Sequence, residues 1–440
     1  MTEHMTQTVT FAEFGLSTPL VARLTELQYT HPTPVQAATI PALLQGKDIL
    51  AGANTGSGKT AAFALPIIQQ LIDAKTLSQT KSATKSATKS STKQNDVSCL
   101  VLVPTRELAK QVADSFLSYS SHLNGQLKTL AVFGGVSVNT QMLALRGGAD
   151  IVVATPGRLL DLVSSNAIKL NRVKHLVLDE ADRMLNLGFT DELDQVLNLM
   201  PKQKQTLLFS ATFPEEVKSL AAGLLTNPIE FQLQNADEST LVQRAITVNR
   251  ENKTALLAHL IKQHQWRQVL IFASAKNTCN HLAQKLSKRG IKAEVFHGDK
   301  AQGARNRVLD GFKNGEIDVL IATDIAARGI DIDKLPVVIN FDLPRSPADY
   351  MHRIGRSGRA GEIGLAISLL CHDDYHHFTV IEKKNKIRLE REQIAGFEAD
   401  EQMPLSAQDT KPMAKPEGMG KKKRKQLPPE NIAIWSRKPN

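Results

Sequence analysis

The chain has 440 residues, of which 42% are hydrophobic and 22% charged, and this composition and length predict a globular protein with more than one hydrophobic core. No apolar run reaches the roughly 18 residues of a membrane span, and the start MTEHMTQTVTFAEF lacks the features of a secretory signal. The net charge is +10, but residues 411–440 carry nine Lys/Arg and two Glu, and residues 75–95 carry five Lys and no acid. The rest of the chain is near neutral, so any polyanion that it binds must be held by individually placed groups.

In chain order, short apolar runs alternate with amphipathic helical stretches. In the first half SCLVLVPT, ADIVVATP, HLVLDE and QTLLFSAT are continuous apolar runs, which predict parallel strands buried on both faces. After residues 235–243 the pattern restarts with RQVLIFAS, KAEVFHG, DVLIATD and PVVINFD. We therefore predict two α/β domains, 1–234 and 244–395, joined by a polar linker at 235–243.

Two segments have the composition of disordered chain. An insertion at 76–96 contains KSATKSATKSSTK, whose lysines would stack and repel on a helix that has no apolar face. We predict a solvated loop there, at the amino ends of the strands and away from the edge where ligands bind. Residues 396–440 contain KKKRK and are predicted to form a disordered basic tail.

The stretch AGANTGSGKT, from Ala51 to Thr60, has the context of a phosphate-binding loop, since it follows the apolar run DIL and opens a helical stretch. Gly56 and Gly58 let the backbone approach phosphates, Lys59 reaches the β- and γ-phosphates, and the Thr60 hydroxyl is a ligand for Mg²⁺. The predicted ATP-binding residues of the loop are Ala53, Asn54, Thr55, Gly56, Ser57, Gly58, Lys59 and Thr60.

The stretch HLVLDEADRML places acids directly after a buried strand. Asp179 ends that strand at the edge where the phosphates would lie, which predicts a Mg²⁺ partner acting through water. Glu180 is then placed to orient and deprotonate the attacking water. The alternative is a helix start, because Glu180 and Asp182 also suit a first helical turn.

Motifs in order along the chain resemble the DEAD-box RNA helicases of superfamily 2, over roughly Phe11 to Leu370. The matching stretches are PTPVQ, AGANTGSGKT, PTRELA, GG, TPGR, DEAD, SAT, QGAR, ATDIAARGID and HRIGRSGR. Ala53 is the residue this family usually has, whereas Gln28 stands where Gly is common and Ser357 where Thr is usual. The wording RMLNLGF and ATDIAARGID is most like the bacterial RhlE-type group. The resemblance implies two tandem RecA-like domains, each a parallel sheet flanked by helices.

The resemblance also implies roles for single residues. Phe11 would stack on adenine, the Gln36 amide would pair with its edge, and Asp331 would lie near the ribose. Arg356 and Arg359 would be arginine fingers on the γ-phosphate. Ser210, Thr212, Asp182 and His352 would couple hydrolysis to RNA release. The implied RNA-binding residues are Pro104, Thr105, Arg106, Gly135, Thr155, Arg158, Gly298, Gln302, Arg305 and Thr323.

The expected activity is RNA-stimulated ATP hydrolysis with Mg²⁺, coupled to local unwinding of short RNA duplexes or remodelling of RNA–protein complexes. Two alternatives stay open: a DNA translocase of the same superfamily, and an ATP-gated RNA clamp or annealing protein. Cys99, Cys279 and Cys371 lack metal spacing and fit reduced thiols, so we expect a cytoplasmic protein without membrane association. We also expect a monomer, with ribosomal precursors or RNA-decay proteins as partners. The KKKRK tail reads as an RNA tether, a nuclear signal or a solubilising tail.

Overall fold

The structure is a computed structural model, and it describes residues 9–52, 57–83, 95–123, 127–232, 241–327, 332, 335–358 and 364–400, with only the backbone described for 78–83. Two seven-stranded sheets form the framework of these residues. Every strand pairing in both sheets is parallel, as the continuous apolar runs predicted.

The first sheet has the strand order β3-β4-β2-β5-β6-β1-β7. Its strands are β1 (Ile49–Gly52), β2 (Val97–Leu102), β3 (Thr129–Val132), β4 (Ala149–Ala154), β5 (His175–Leu178), β6 (Gln205–Ser210) and β7 (Ile229–Gln232). The four runs predicted as strands in this half are β2, β4, β5 and β6, and that prediction is confirmed.

The second sheet has the order β10-β11-β9-β12-β13-β8-β14. Its strands are β8 (Leu241–Thr247), β9 (Val269–Phe272), β10 (Ala293–Phe296), β11 (Val319–Ala322), β12 (Val337–Asn340), β13 (Gly364–Leu370) and β14 (Arg391–Glu392). When each sheet is numbered from its own first strand, the two orders are identical. The second half of the chain therefore repeats the topology of the first, strand for strand.

Helices connect the strands, as parallel pairing requires. In the first half they are α1 (Thr18–Glu26), α2 (Pro34–Leu44), α3 (Lys59–Ala83), α4 (Arg106–Ser120), α5 (Val138–Leu145), α6 (Pro156–Ser164), α7 (Ala181–Asn186), α8 (Thr190–Asn198) and α9 (Glu215–Leu224). In the second half they are α10 (Lys253–Gln263), α11 (Lys276–Ser287), α12 (Gln302–Lys313), α13 (Asp324–Ala327), α14 (Pro347–Ile354) and α15 (Tyr375–Asn385). Short 3-10 helices cover Phe11–Phe14 and His372–Asp374.

Each sheet separates two hydrophobic cores. In β2, Cys99 and Val101 face one core while Leu100 and Leu102 face the other, because alternate side chains of a strand point to opposite faces. The second sheet is covered on both faces in the same way. Burial on both faces explains why the strands are apolar throughout and why polar residues gather at their ends.

Three structural elements extend across the predicted boundaries. Helix α3 continues to Ala83, into the insertion predicted at 76–96, because a helix already nucleated extends at little cost through Lys, Ser and Ala. Strand β8 begins at Leu241, inside the predicted linker, because its pairing with β13 supplies backbone partners. Phe397, assigned to the tail, packs on a hydrophobic core of the second sheet, and the centroid of its ring lies 5.3 Å from that of the His259 ring. The remainder of the insertion, 84–94, and residues 401–440 lie outside the described residues.

Cys99, Cys279 and Cys371 are free and buried. No helix in the described part of the chain combines the length and the apolar character that crossing a bilayer requires.

Candidate functional site

A buried cation and a buried carboxylate face each other at the carboxyl edge of the first sheet. Lys59 begins α3 and Asp179 directly follows β5, and the Lys59 Nζ lies 3.7 Å from the Asp179 Oδ1. Both atoms are buried and neither has a hydrogen-bond partner among the described residues. Burying such groups is costly unless they are compensated, so this arrangement is suited to a ligand that brings both acceptors for the lysine and a cation for the carboxylate.

The turn before α3 is tied to the PTPVQ stretch. The Thr33 hydroxyl donates to the Ser57 carbonyl oxygen at 2.8 Å, and the Gln36 Nε2 donates to the Gly58 carbonyl oxygen at 3.1 Å. Gly58 has φ +91°, and a Cβ there would lie 2.5 Å from the Gln36 Nε2. Glycine is therefore required at this position for both backbone and packing reasons. Ala53, Asn54, Thr55 and Gly56, also predicted to bind ATP, lie outside the described residues.

Phe11 and Gln36, predicted to recognise adenine, are both buried in this structure. The Phe11 ring is 3% exposed and lies edge-on to Phe14 and Tyr29, with ring centroids 6.1 Å and 6.4 Å away. The Gln36 Oε1 accepts a hydrogen bond from the Thr33 backbone N–H at 2.9 Å, so its amide links the start of α2 to the phosphate-loop turn.

Glu180 lies beside this pair in a left-handed backbone conformation, with φ +55°. Its carboxylate forms a buried ion pair with Arg183, one helical turn along α7. Burial alone would raise the pKa of Glu180, but the positive charges of Arg183, Lys59 and Arg356 outweigh it and lower the pKa to about 2. Burial raises the pKa of the adjacent Asp179, an effect that Lys59 opposes. The pKa values of these two neighbouring carboxyl groups are therefore shifted in opposite directions.

The structure brings Asp182, Ser210, Thr212 and His352 together. The Asp182 Oδ2 accepts hydrogen bonds from the Thr212 backbone N–H at 3.0 Å and its hydroxyl at 2.6 Å, and the Asp182 N–H donates to the Ser210 hydroxyl oxygen. The His352 Nε2, from α14 in the second half, lies 3.9 Å from the same Asp182 oxygen. Burial lowers the pKa of His352, although the Asp182 charge opposes the shift. Asp182 thus connects β6, α7 and the second domain.

Arg356 follows α14 and is 3% exposed. Its positive charge, after those of Arg183 and Lys59, helps to lower the pKa of Glu180 in the first domain. Arg359 and Asp331, predicted to contact the γ-phosphate and the ribose, lie outside the described residues.

The residues present suit a magnesium ion held chiefly by phosphate and water. Within the described ranges, no group of three or more His, Cys, Asp or Glu could enclose a metal. The Asp179 Oδ1 is nevertheless buried and has no hydrogen-bond partner in the part of the chain that the structure describes, and Thr60 lies next to Lys59 in the first turn of α3. One carboxylate and one hydroxyl fit Mg²⁺, which keeps several waters and takes its remaining ligands from phosphates.

Basic residues gather over a glycine turn at the carboxyl ends of β2, β3 and β4. A Cβ on Gly135, which has φ +83°, would lie 1.9 Å from the Arg106 Nη1, so the guanidinium rests on the bare glycine. The Arg158 Nη1 donates to the Val136 carbonyl oxygen at 3.0 Å. Thr105 caps α4, Thr155 precedes α6, and both are nearly buried, as is Pro104. The structure thus brings the predicted RNA-binding residues of the first domain together.

The predicted RNA-binding residues of the second domain meet a carboxylate from the first. The Arg305 Nη2 lies 2.9 Å from the Glu107 Oε1, and the Gln302 Nε2 donates to the same oxygen at 3.3 Å. The Arg305 guanidinium also lies over the Phe296 ring, 4.7 Å from its centroid. Glu107 belongs to PTRELA, so one side chain joins the two edges that are predicted to bind RNA.

The repeated topology identifies a residue that sequence reasoning missed. Lys276 follows the end of β9 by the same four positions by which Arg106 follows β2. Its side chain lies against Gly298, about 4 Å from the place of a Cβ, as that of Arg106 lies against Gly134. Thr323 follows β11 as Thr155 follows β4. The signal that could have located Lys276 is its distance along the chain from the strand end. Glu107 was also missed, because its partners come from the other domain.

Helicase family models match both halves of the chain. A family model for the DEAD/DEAH box helicases matches residues 33–220, and a model for the helicase conserved C-terminal domain matches residues 252–361. The chain is 38% identical over 384 residues to the ATP-dependent RNA helicase CshA of Listeria monocytogenes, covering 86% of this chain and 69% of that relative. It is 36% identical over 386 residues to CshA of Bacillus subtilis, covering 87% and 74% respectively.

A solved structure shares the arrangement of both sheets. Yeast Dbp5 bound to RNA and ADP BeF3 superposes with a TM-score of 0.74 and 30% identity, covering 87% of this chain and 95% of that one. The fold is therefore two tandem RecA-like domains, as the sequence motifs implied. With its motifs, its repeated sheets and these relatives in agreement, the chain belongs to the family of DEAD-box ATP-dependent RNA helicases.

Proposed function

We propose that the chain hydrolyses ATP at the junction of its two domains in order to bind, locally unwind and release RNA. The observation that carries this is the meeting of Glu180 and Asp182 with Arg356 and His352 of the second domain. Neither domain holds all of these groups, so the site is complete only when the domains are together. Hydrolysis is then tied to the arrangement that also joins the two RNA-binding edges through Glu107.

The first domain binds ATP and positions the water. Lys59 supplies a positive charge to the β- and γ-phosphates, which explains why its ammonium group has no hydrogen-bond partner among the described residues. Glu180 orients the attacking water and accepts its proton, while Arg183 holds the carboxylate in place. Phe11 and Gln36 recognise adenine beside the loop of Ala53 to Thr60, and Asp331 contacts the ribose.

The second domain completes the charge balance. Arg356 and Arg359 stabilise the negative charge that develops on the γ-phosphate, a contribution on the order of 10³ to 10⁵ in rate for arginine fingers. Thr60 and, through water, Asp179 would hold a Mg²⁺ ion, which would neutralise phosphate charge. Ser210, Thr212, Asp182 and His352 transmit the state of this site to the RNA side.

RNA binds along the carboxyl edges of both sheets through its backbone. Arg106 and Arg158 hold phosphates on the first domain, where Thr105, Gly135 and Thr155 allow close approach. Gln302, Arg305 and Thr323 act on the second domain, to which we add Lys276. Contacts to phosphates and 2′-hydroxyls make binding independent of sequence and favour RNA over DNA.

ATP and RNA stabilise the same joined arrangement, so each tightens the binding of the other by an equal factor. A bent strand in this groove loses duplex geometry locally, at roughly 1 to 2 kcal/mol per base-pair step as in DNA duplexes. We expect unwinding of short duplexes that falls steeply with duplex length. Processive melting of long duplexes would contradict this mechanism.

The central experiment compares wild type with Glu180→Gln, measuring phosphate release with and without single-stranded RNA. We expect RNA to stimulate the wild type, and the variant to bind both ligands while its turnover falls about 100-fold or more. A variant with full turnover would remove Glu180 from the mechanism. The control Glu215→Gln alters an exposed acid and should behave as wild type.

Two other activities fit parts of the same site. A DNA translocase would be stimulated equally by single-stranded DNA, which the same assay tests. An RNA clamp or annealing protein would hold RNA with a non-hydrolysable ATP analogue and fail to displace a strand. Filter binding with the analogue and with ATP separates this clamp from a helicase, because only productive hydrolysis releases the RNA.

Finer assignments rest on sequence alone. The RhlE-type subgroup is proposed from RMLNLGF and ATDIAARGID, and the relatives named CshA add no support to it. We also propose a cytoplasmic monomer that acts on ribosomal precursors or with RNA-decay proteins. Lys421–Lys425 would tether RNA electrostatically; removing residues 403–440 should then weaken RNA binding at low salt and leave RNA-stimulated hydrolysis intact.

A further inference from the structure

The second domain contains a counterpart of the Lys59–Asp179 pair. In the shared strand order β8 occupies the place of β1, and the helices that follow begin with Lys253-Thr254-Ala255 and Lys59-Thr60-Ala61. Strand β12 occupies the place of β5, and Asp342 follows its end by two residues, whereas Asp179 follows the end of β5 by one. The Lys253 Nζ lies 4.0 Å from the Asp342 Oδ1, against 3.7 Å in the first domain.

The two lysines differ in what surrounds them. The connection from β8 to α10, residues 248–252, contains no glycine, so it cannot form the phosphate-binding turn of the first domain. A second carboxylate is present instead, with the Asp374 Oδ2 at 3.5 Å from the Lys253 Nζ. The Phe341 ring lies 5.2 Å from the same atom. Lys253 is only 6% exposed, and its charge is balanced by the protein without any ligand.

Both carboxylates lead to helix α14. The carbonyl oxygen of Asp342 accepts a hydrogen bond from the Arg353 Nη1 at 2.6 Å, and Arg353 is a buried residue of α14. Asp374 is the residue before α15, and α15 packs on α14 through the Phe378 and Tyr350 rings, whose centroids are 5.8 Å apart. The lysine is therefore the common partner of two of the segments that contact α14, beside the ion pair of Arg353 with Asp324 and its hydrogen bond to Asn340.

Helix α14 matters because it carries His352 and ends just before Arg356. We propose that Lys253 is a positioning residue, which fixes α14 through its ion pairs with Asp342 and Asp374 and so holds Arg356 at the ATP site. A lysine in the place of a phosphate-binding group thus acts on the same reaction from the other domain. This inference rests on the proposed function, in which Arg356 stabilises the γ-phosphate.

The test is Lys253→Met, which keeps the length of the side chain and removes its charge. The matched control is Lys262→Met, an exposed lysine on the same helix. We expect RNA-stimulated kcat to fall about 10- to 100-fold, the range that a misplaced catalytic group produces, while KM for ATP stays as in wild type. Lys253→Arg should restore part of the rate, because it returns the positive charge to both carboxylates.

Two further variants separate the possible failures. Arg356→Gln tests the proposed function itself; full activity in that variant would remove the arginine from the mechanism whatever Lys253 does. If Arg356→Gln is inactive and Lys253→Met keeps its kcat while unfolding at a lower temperature, Lys253 is purely structural and the inference is overturned. Should Lys253→Met fail to fold, Asp374→Asn decides, since it removes one ion pair only; a kcat equal to wild type in Asp374→Asn also overturns the inference.

Discussion

Glu107 joins the two domains, and replacing it tests how strongly that contact couples ATP to RNA. Glu107→Gln keeps the size of the side chain and an acceptor oxygen, and it removes the negative charge. The side chains of Glu107 and Arg305 are only 8% and 7% exposed, so water screens their attraction little. Because the partners belong to different domains, the loss falls on the joined arrangement and not on the folding of either domain.

The magnitude follows from the kind of hydrogen bond that changes. A hydrogen bond involving a charged group contributes about 1.5 to 3 kcal/mol and a neutral one about 1 kcal/mol. The substitution therefore removes about 0.5 to 2 kcal/mol, which corresponds to a factor of about 2 to 30 in the population of the joined arrangement. The factor by which an ATP analogue tightens RNA binding should fall by the same amount.

The assay is the dissociation constant of a short single-stranded RNA, measured by fluorescence anisotropy with and without a non-hydrolysable ATP analogue. RNA affinity without the analogue should change little, and the ratio of the two constants should shrink. The control is Glu215→Gln, which breaks an ion pair within α9 whose glutamate side chain is 82% exposed and which therefore contributes little. An unchanged ratio in Glu107→Gln would refute the view that Glu107 couples the two ligands.

Three further variants probe separate parts of the molecule. Asp182→Ala leaves both Thr212 donors without their acceptor, so strand displacement should fall about tenfold or more while ATP-analogue affinity is retained. Gly135→Ala forces the Arg106 guanidinium away, so RNA affinity should weaken with unchanged RNA-independent hydrolysis. Burial lowers the pKa of His175 to about 4. Below about pH 6.5 the unfolded chain therefore binds more protons than the folded chain, and the free energy of unfolding decreases as the pH is lowered. Between about pH 8 and pH 5 this loss is about 2 kcal/mol, and His175→Gln should remove it in urea unfolding.

Strand positions were predictable from the sequence because both faces of each sheet are covered. A strand such as β12, with the sequence VVIN, has no solvent face and so no polar alternation to confuse its reading. Asp179 could be placed at the ligand edge for a related reason: in a parallel sheet, every connection from strand to helix emerges at the carboxyl edge. Local sequence was sufficient here because the chemistry follows directly after a strand.

Contacts between the domains were not predictable in the same way. Arg305 and Gln302 were predicted to bind RNA, but nothing near them in sequence indicates that Glu107 is their partner in this structure. The link between Lys253 and α14 likewise needs the strand order of both sheets before the lysine can be compared with Lys59. Such contacts depend on the tertiary structure, and a sequence motif contains only one of the two residues that form the contact.

Two departures from the family pattern have simple structural outcomes. Gln28, where glycine is common, ends the turn after α1 with φ +62°, a conformation that costs a residue with a Cβ about 1 to 2 kcal/mol. Ser357, where threonine is usual, is 1% exposed, and its hydroxyl donates to the Leu335 carbonyl oxygen at 2.9 Å. Threonine has the same hydroxyl group, so either residue can donate this hydrogen bond.

The matching glycine turns of the two sheets limit the length of RNA that one protein molecule contacts. Among the described residues, each sheet has one glycine turn that a basic side chain contacts, Arg106 in the first sheet and Lys276 in the second. An RNA strand that lies across both glycine turns occupies both, and the described residues contain no third turn of this kind. A longer RNA then offers more alternative binding positions but no longer contact with one protein molecule. The rate of ATP hydrolysis per molecule of protein should therefore stop rising once an oligonucleotide spans both glycine turns. The enzyme would act by repeated, independent binding events on the RNA, each of which ends when one ATP is hydrolysed.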